Sequence, residues 1–213
     1  MDRPEFLARY PASVPGPRPA VLGPSLPNED LIDLFCGRLA AVAGVVHGPV
    51  PVGSAADLIV GILTQYGSTT YLAWDDPGVP AVHPRLRLAG LRRIDGDVPM
   101  RDPARRRHLQ GYQHVDAGIT GADAGLAESG SIVLRTGPGR PRLASLIPVV
   151  HVAVLTVRRI ARSLAHYAID HPAAIEGTSN LVVITGPSRT ADIEQQLNLG
   201  VHGPKHLHVI LVD

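Results

Sequence analysis

The chain has 213 residues, 45% of them hydrophobic and 18% charged, with a formal net charge of +1. That composition supplies a core and excludes a disordered chain, and the near-neutral balance excludes a polyanion binder acting through bulk charge. The single cysteine, Cys36, excludes an internal disulfide, a cysteine zinc site and an iron–sulfur cluster held by this chain alone.

Residues 1–27 are read as an extended arm, because Pro, Ala and Gly crowd residues 9–27 and proline removes backbone donors. Residues 28–213 are read as one α/β domain. Asn28 offers an N-cap, and Leu31, Ile32, Leu34, Phe35, Leu39 and Val42 follow at helical spacing, which predicts a helix over roughly 29–43. Cys36 lies inside it and reads as a small buried hydrophobe. A second helix is expected from Ser54 to Gln65, stopped by Gly67. Thr69–Trp74 reads as a strand and Asp75-Asp76-Pro77-Gly78 as a turn. Residues 84–110 mix strand-like and polar stretches.

Further along, His114–Ile119 is a strand candidate, Ala124–Ala127 a short helix and Ser131–Leu134 a strand. A helical turn is expected at Leu143–Ile147, a buried strand at Val149–Val157, and a helix over Val157–Ile169. Leu181–Ile184 reads as another buried strand, Thr190–Leu197 as a helix and Leu207–Val212 as the last strand. Alternation of strands and helices predicts an α/β fold with a mainly parallel sheet and helices on both faces. The amino terminus lacks an apolar signal core and no run is long enough to span a bilayer, so a cytoplasmic protein is expected.

Two glycine-rich segments concentrate polar groups. In Gly118–Leu134, Thr120, Asp123, Glu128, Ser129, Gly130 and Ser131 sit between two expected strands, at the kind of strand end where open α/β sheets bind ligands. Glu128 could serve there as general base, nucleophile or ligand anchor. The bland alternative makes Thr120 and Asp123 helix caps and leaves Glu128 in solvent. In Ile184–Pro204, Thr185, Gly186, Ser188 and Asp192 surround an expected strand–glycine–helix start, which can hold an anion on free N–H groups. The acids Asp192 and Glu194 argue against a phosphate there. His202, between Gly200 and Gly203, is held in a tight loop and is a candidate for ligand contact or proton transfer.

Among the ten histidines no metal-ligand spacing occurs; His206 and His208 share one strand face, and two ligands do not make a site. No metal and no cofactor are expected. Arg85, Arg87, Arg92, Arg93, Arg101, Arg105, Arg106 and Arg107 crowd the middle of the chain, and Arg135, Arg140 and Arg142 flank a later loop. They fit a solvated basic face or recognition of an acidic small molecule. A nucleic-acid interface lacks the aromatic residues, only 4% here, that base stacking needs.

Gly118-Ile-Thr-Gly-Ala-Asp, Ala127-Glu-Ser-Gly-Ser-Ile-Val-Leu, Leu146-Ile-Pro-Val-Val-His, Thr185-Gly-Pro-Ser-Arg-Thr-Ala-Asp-Ile-Glu and Gly200-Val-His-Gly-Pro together resemble the lactate-utilisation (LUD) domain family in its stand-alone, C-type form, over about residues 112–213. The resemblance implies the fold superfamily of ribose-5-phosphate isomerase, glucosamine-6-phosphate deaminase and the CoA transferases. Some CoA transferases use a Glu followed by a small residue and Gly as nucleophile, and Glu128-Ser129-Gly130 is similar. It also implies a role in oxidation of L-lactate to pyruvate beside iron–sulfur subunits, with this chain as an accessory component that binds a small anionic metabolite or a partner, and with homo-oligomers possible. The rival expectation is a free-standing enzyme of acyl-transfer or isomerase type using Glu128.

Overall fold

A computed structural model describes residues 28–96, 105, 109–174, 178, 180–191, 197–199 and 203–213. The expected arm at 1–27 and the candidates Asp192 and His202 lie outside the described residues, as does most of the arginine-rich stretch 101–107.

Helix α1 spans Asn28–Ala41, strand β1 Val45–Val50, helix α2 Val52–Gln65, strand β2 Thr70–Ala73, helix α3 Val82–Leu88 and strand β3 Arg92–Arg93. Strands β4 (Ala117–Gly121), β5 (Ala124–Leu126), β6 (Ser131–Thr136), β7 (Val150–Thr156) and β8 (Ile160–Ala161) follow, then helix α4 (Leu164–Asp170). The chain closes with β9 (Asn180–Ile184), β10 (Arg189–Ala191), β11 (Leu197–Leu199) and β12 (His206–Val212).

The central sheet has six strands in the order β1-β12-β7-β4-β2-β3, and every pairing in it is parallel. Its interior strands β7 and β12 are apolar runs buried along nearly their whole length, as a sheet covered on both faces requires. One face packs against α1 through Leu31, Phe35 and Leu39, which recur every four residues on one helix side. The other face packs against α2 and α3 through Ile59, Ile62, Leu63, Val82 and Leu86. A smaller sheet, β8-β5-β6-β9, is built from two excursions that leave the carboxyl ends of β4 and β7. The two glycine-rich segments meet in it, since β6 and β9 pair antiparallel with Ile132 opposite Ile184.

Several expectations are corrected. Ala124–Ala127 is not a helix: Ala124–Leu126 is β5, hydrogen-bonded to β6 and β8. A Cβ on Gly125 would lie 2.7 Å from Leu155 and 3.2 Å from Phe35, so the bare backbone fits against the core there and pairing overrides local preference. The expected helix over Val157–Ile169 starts only at Leu164, capped by Ser163. Before it, Ile160–Ala161 is drawn into the small sheet, with Ala127 N–H donating to Ala161 O at 2.9 Å. At Thr190–Leu197 the described ends are the antiparallel strands β10 and β11, so no helix starts at Ser188.

Strand β9 is half exposed rather than buried, because it is the outer strand of the small sheet. The mixed stretch 84–110 holds the end of helix α3 and strand β3, and the second helix starts at Val52, behind Pro51, rather than at Ser54. Strand β1 has no counterpart in the sequence reading. Pro49 sits at a register shift in it, and β1 is a sheet edge, where a residue without an N–H is tolerated.

Candidate functional site

Besides a larger cavity of about 320 Å³, lined by Asp75, Arg93, Asp95 and Gly139 at the end of β2, two cavities of similar size lie at opposite ends of strand β7. At its carboxyl end, a cleft of about 240 Å³ is lined by Asp123, Arg135, Arg140, Arg159, Tyr167 and His171. Asp123 lies two residues beyond β4, Arg159 three beyond β7, Arg135 on β6, and Tyr167 and His171 on or just after α4. Parallel α/β sheets bind ligands at this edge because their strands all end there, in loops that project functional groups together.

Asp123 organises the cleft. Its carboxylate is 5% exposed and accepts from Arg135 N–H at 2.7 Å, Arg135 Nε at 3.1 Å, Arg135 Nη2 at 3.0 Å and Arg140 Nη1 at 3.1 Å. Arg140 also lies 4.8 Å over the ring of Trp74, which holds its guanidinium plane. Arg159 is placed by a long contact, 3.5 Å, to Ala122 O. Arg135 and Arg140 pair with the one carboxylate while Arg159 lines the same cleft, so the cleft keeps a surplus of positive charge.

At the amino ends of β7 and β12, a cavity of about 230 Å³ is lined by His151 and Leu207 from the large sheet and by Val182 and Ile184 from the small one. Gly186, Ser188, Gly203 and Ser145 complete part of its wall. His151 is 1% exposed, and Thr120 Oγ1 lies 2.9 Å from its Nε2. Burial pushes the imidazole down to about 4, so the ring is neutral at physiological pH.

The candidate residues are thus distributed over separate places. Asp123 is in the arginine cleft. Gly186, Ser188 and Gly203 line the His151 cavity, with Thr120 behind the histidine. Ser129, Ser131 and Thr185 form a row of hydroxyls, with 2.7 Å between Ser129 Oγ and Ser131 Oγ and 2.7 Å between Ser131 Oγ and Thr185 Oγ1. Glu128 stands at the β5–β6 turn, its carboxylate 49% exposed and accepting from Arg162 Nε at 2.8 Å. It lines neither cavity.

Gly130 and Gly186 have positive φ, 65° and 77°, and abut α1 and the residue after it: a Cβ on Gly130 would clash with Leu39 N, and one on Gly186 would lie 2.5 Å from Val42 O. Both glycines let the small sheet approach this helix. The bland reading in which Thr120 and Asp123 cap a helix is removed with the helix itself.

Arg159, Tyr167, His171 and His151 are absent from the sequence-derived candidates. Only His151 left a signal, a histidine inside an otherwise apolar strand. His206 and His208 do share a face, but His208 is bonded to His47 Nε2 at 2.9 Å and to Tyr66 Oη at 3.0 Å. Among the described residues no group of three or more His, Cys, Asp or Glu is placed to hold a metal ion. Cys36 is half buried, and burial, with the Asp33 carboxylate nearby, raises its thiol pKa. Among the described residues no helix is long and apolar enough to cross a membrane.

Fold and site define an α/β protein with an all-parallel central sheet and an arginine-lined cleft at its carboxyl edge. Residues 45–212 match the LUD domain, and the chain belongs to the LUD-domain family. It is 33% identical over 157 residues to lactate utilization protein C of Macrococcus caseolyticus, covering 71% of this chain and 65% of that protein. Lactate utilization protein C of a Geobacillus species is 33% identical over 168 residues, covering 71% and 66%. The chain therefore spans just under two thirds of the length of these relatives. A crystal structure of a DUF162 family protein from Deinococcus radiodurans shares the fold, with a TM-score of 0.64 and 22% identity over 88% of this chain and 99% of that one.

Proposed function

We propose that this protein acts in lactate utilisation as a component that binds a small carboxylate in the cleft formed by Asp123, Arg135, Arg140 and Arg159. The observation that carries the reading is the charge imbalance: two guanidinium groups pair with the one buried carboxylate, and Arg159 lines the same cleft unpaired with it, which leaves donors for a second carboxylate. Arginine forks match carboxylate geometry bidentately, and a cleft of about 240 Å³ admits a three-carbon hydroxy or keto acid. The names of the relatives supply the pathway. With one cysteine in the chain, an iron–sulfur redox step belongs to partner subunits, and this chain presents or senses the metabolite in the cytoplasm.

Calorimetric titration of the full chain with L-lactate, pyruvate and the neutral isostere lactamide tests this. L-lactate or pyruvate should bind and lactamide should not. Arg159→Ala should weaken binding about tenfold, the loss of roughly one charge-assisted hydrogen bond. Equal binding of lactamide, or an unchanged constant in Arg159→Ala, rejects the reading.

A further inference from the structure

We infer that the cavity at the amino ends of β7 and β12 is a second binding site, for a small uncharged molecule with an apolar body and one hydrogen-bond acceptor, held by Nδ1–H of His151. The inference is independent of the arginine cleft and shares no residue with it.

The chemistry follows from one hydrogen bond. Thr120 is fully buried, and His151 Nε2 at 2.9 Å is its hydroxyl's hydrogen-bond partner. If Nε2 carried the ring proton, the Thr120 hydroxyl proton would be left without an acceptor inside the protein, which buried hydroxyls avoid. Donation from Thr120 to Nε2 satisfies both groups and puts the ring proton on Nδ1. Nδ1 has no partner among the described residues, although the ring is 1% exposed and forms part of the cavity wall. A buried donor without an acceptor among the described residues is free to donate to a molecule bound in the cavity.

The rest of the wall selects the ligand. The described lining has no charged side chain: Leu146, Val182, Ile184, Pro187, Pro204 and Leu207 dominate it. A carboxylate placed there would meet no cation among the described lining residues, so the described wall favours an uncharged ligand over the acids that the arginine cleft takes. The volume of about 230 Å³ exceeds the roughly 150 Å³ that accommodates benzene, so a single substituted ring or a short branched chain fits. A ketone, ester or amide carbonyl supplies the acceptor.

Nitrogen-15 spectra of the full chain, tuned to imidazole nitrogens, should show His151 protonated at Nδ1. Titration should then compare cyclohexanone with methylcyclohexane, which lacks the acceptor, and with cyclohexanecarboxylate, which is charged. Cyclohexanone should shift the His151 nitrogens saturably, and bind about fivefold or more tightly than either control, the worth of one neutral hydrogen bond in a dry site. In His151→Phe that preference should vanish. Thr120→Val, which keeps the histidine but releases its tautomer, should reduce it. A proton on Nε2, equal binding of the three probes, or no saturable shift with cyclohexanone overturns the assignment. Should His151→Phe fail to fold, the wild-type spectra and Thr120→Val decide alone.

Discussion

The two cavities at the ends of β7 differ by only about 10 Å³ in volume, at about 240 and 230 Å³, yet their walls are chemical opposites. The carboxyl-end cleft is lined by arginines around one carboxylate, and the amino-end cavity by aliphatic side chains around one neutral histidine. His151 and Thr156, near the two ends of the strand, are roughly 16 Å apart at the usual rise per residue. Strand direction explains the difference. At the carboxyl edge the chain leaves β4 and β7 in long excursions, so polar side chains from β6 and α4 can be gathered around Asp123. At the amino edge the small sheet closes down on the large one, and the described wall is mostly aliphatic. The lesson is that one strand can carry two chemically opposite environments, each confined to one of its ends.

Acid should damage the dry end most. Above the usual histidine value of 6.5, His151 is neutral in both the folded and the unfolded chain. Between 6.5 and about 4 the unfolded chain takes up a proton that the folded one refuses, so stability falls as pH falls, and the loss is complete below about 4. The full loss is about 3 kcal/mol. Urea midpoints measured at about pH 7.5 and pH 4.5 should show it, and His151→Phe should flatten the slope. His208, also held near 4 by burial and then by His47 and His206, adds a loss of the same sign in the same window. An equal fall in His151→Phe would show that the acid sensitivity lies elsewhere.

Asp123→Asn attacks the charged end. Removing the carboxylate leaves Arg135 and Arg140 without their buried counter-charge. Because both guanidiniums are more than a third exposed, the cost is reduced by solvent to about 2 kcal/mol. Carboxylate affinity should rise in the same variant, since the competing anion is gone. A destabilised protein with unchanged L-lactate affinity would separate the Asp123 network from ligand binding.

The smallest effect is expected at Glu128, outside both cavities. Its pair with Arg162 is half exposed, so Glu128→Gln should change stability by less than about 0.5 kcal/mol. Lactate-dependent growth should survive the substitution. Loss of growth with an intact fold would instead favour acyl-transfer or isomerase chemistry at Glu128.

The sequence by itself determined the class of fold and the family. The apolar runs that became β7 and β12, the spacing of Leu31, Phe35 and Leu39, and the glycine-rich motifs were all legible, because periodicity and backbone freedom are local properties. Asp123 was visible as a polar residue in an odd place. Its role was not, because Arg135 and Arg140 reach it, and Arg159 joins the same cleft, only after the chain has folded. The helices expected at Ala124–Ala127 and before Leu164 failed for the same reason: backbone groups of β5 and β8 find partners in distant strands, and such pairing outweighs weak local propensity. His151 was visible as a histidine in an apolar run and as the end of the Leu146–His151 motif, but not as a site residue. Only the tertiary structure decided that its Nε2 meets Thr120 and leaves its Nδ1 without a partner among the described residues, in a side chain that lines a cavity, since the register of β4 against β7 brings Thr120 and His151 together.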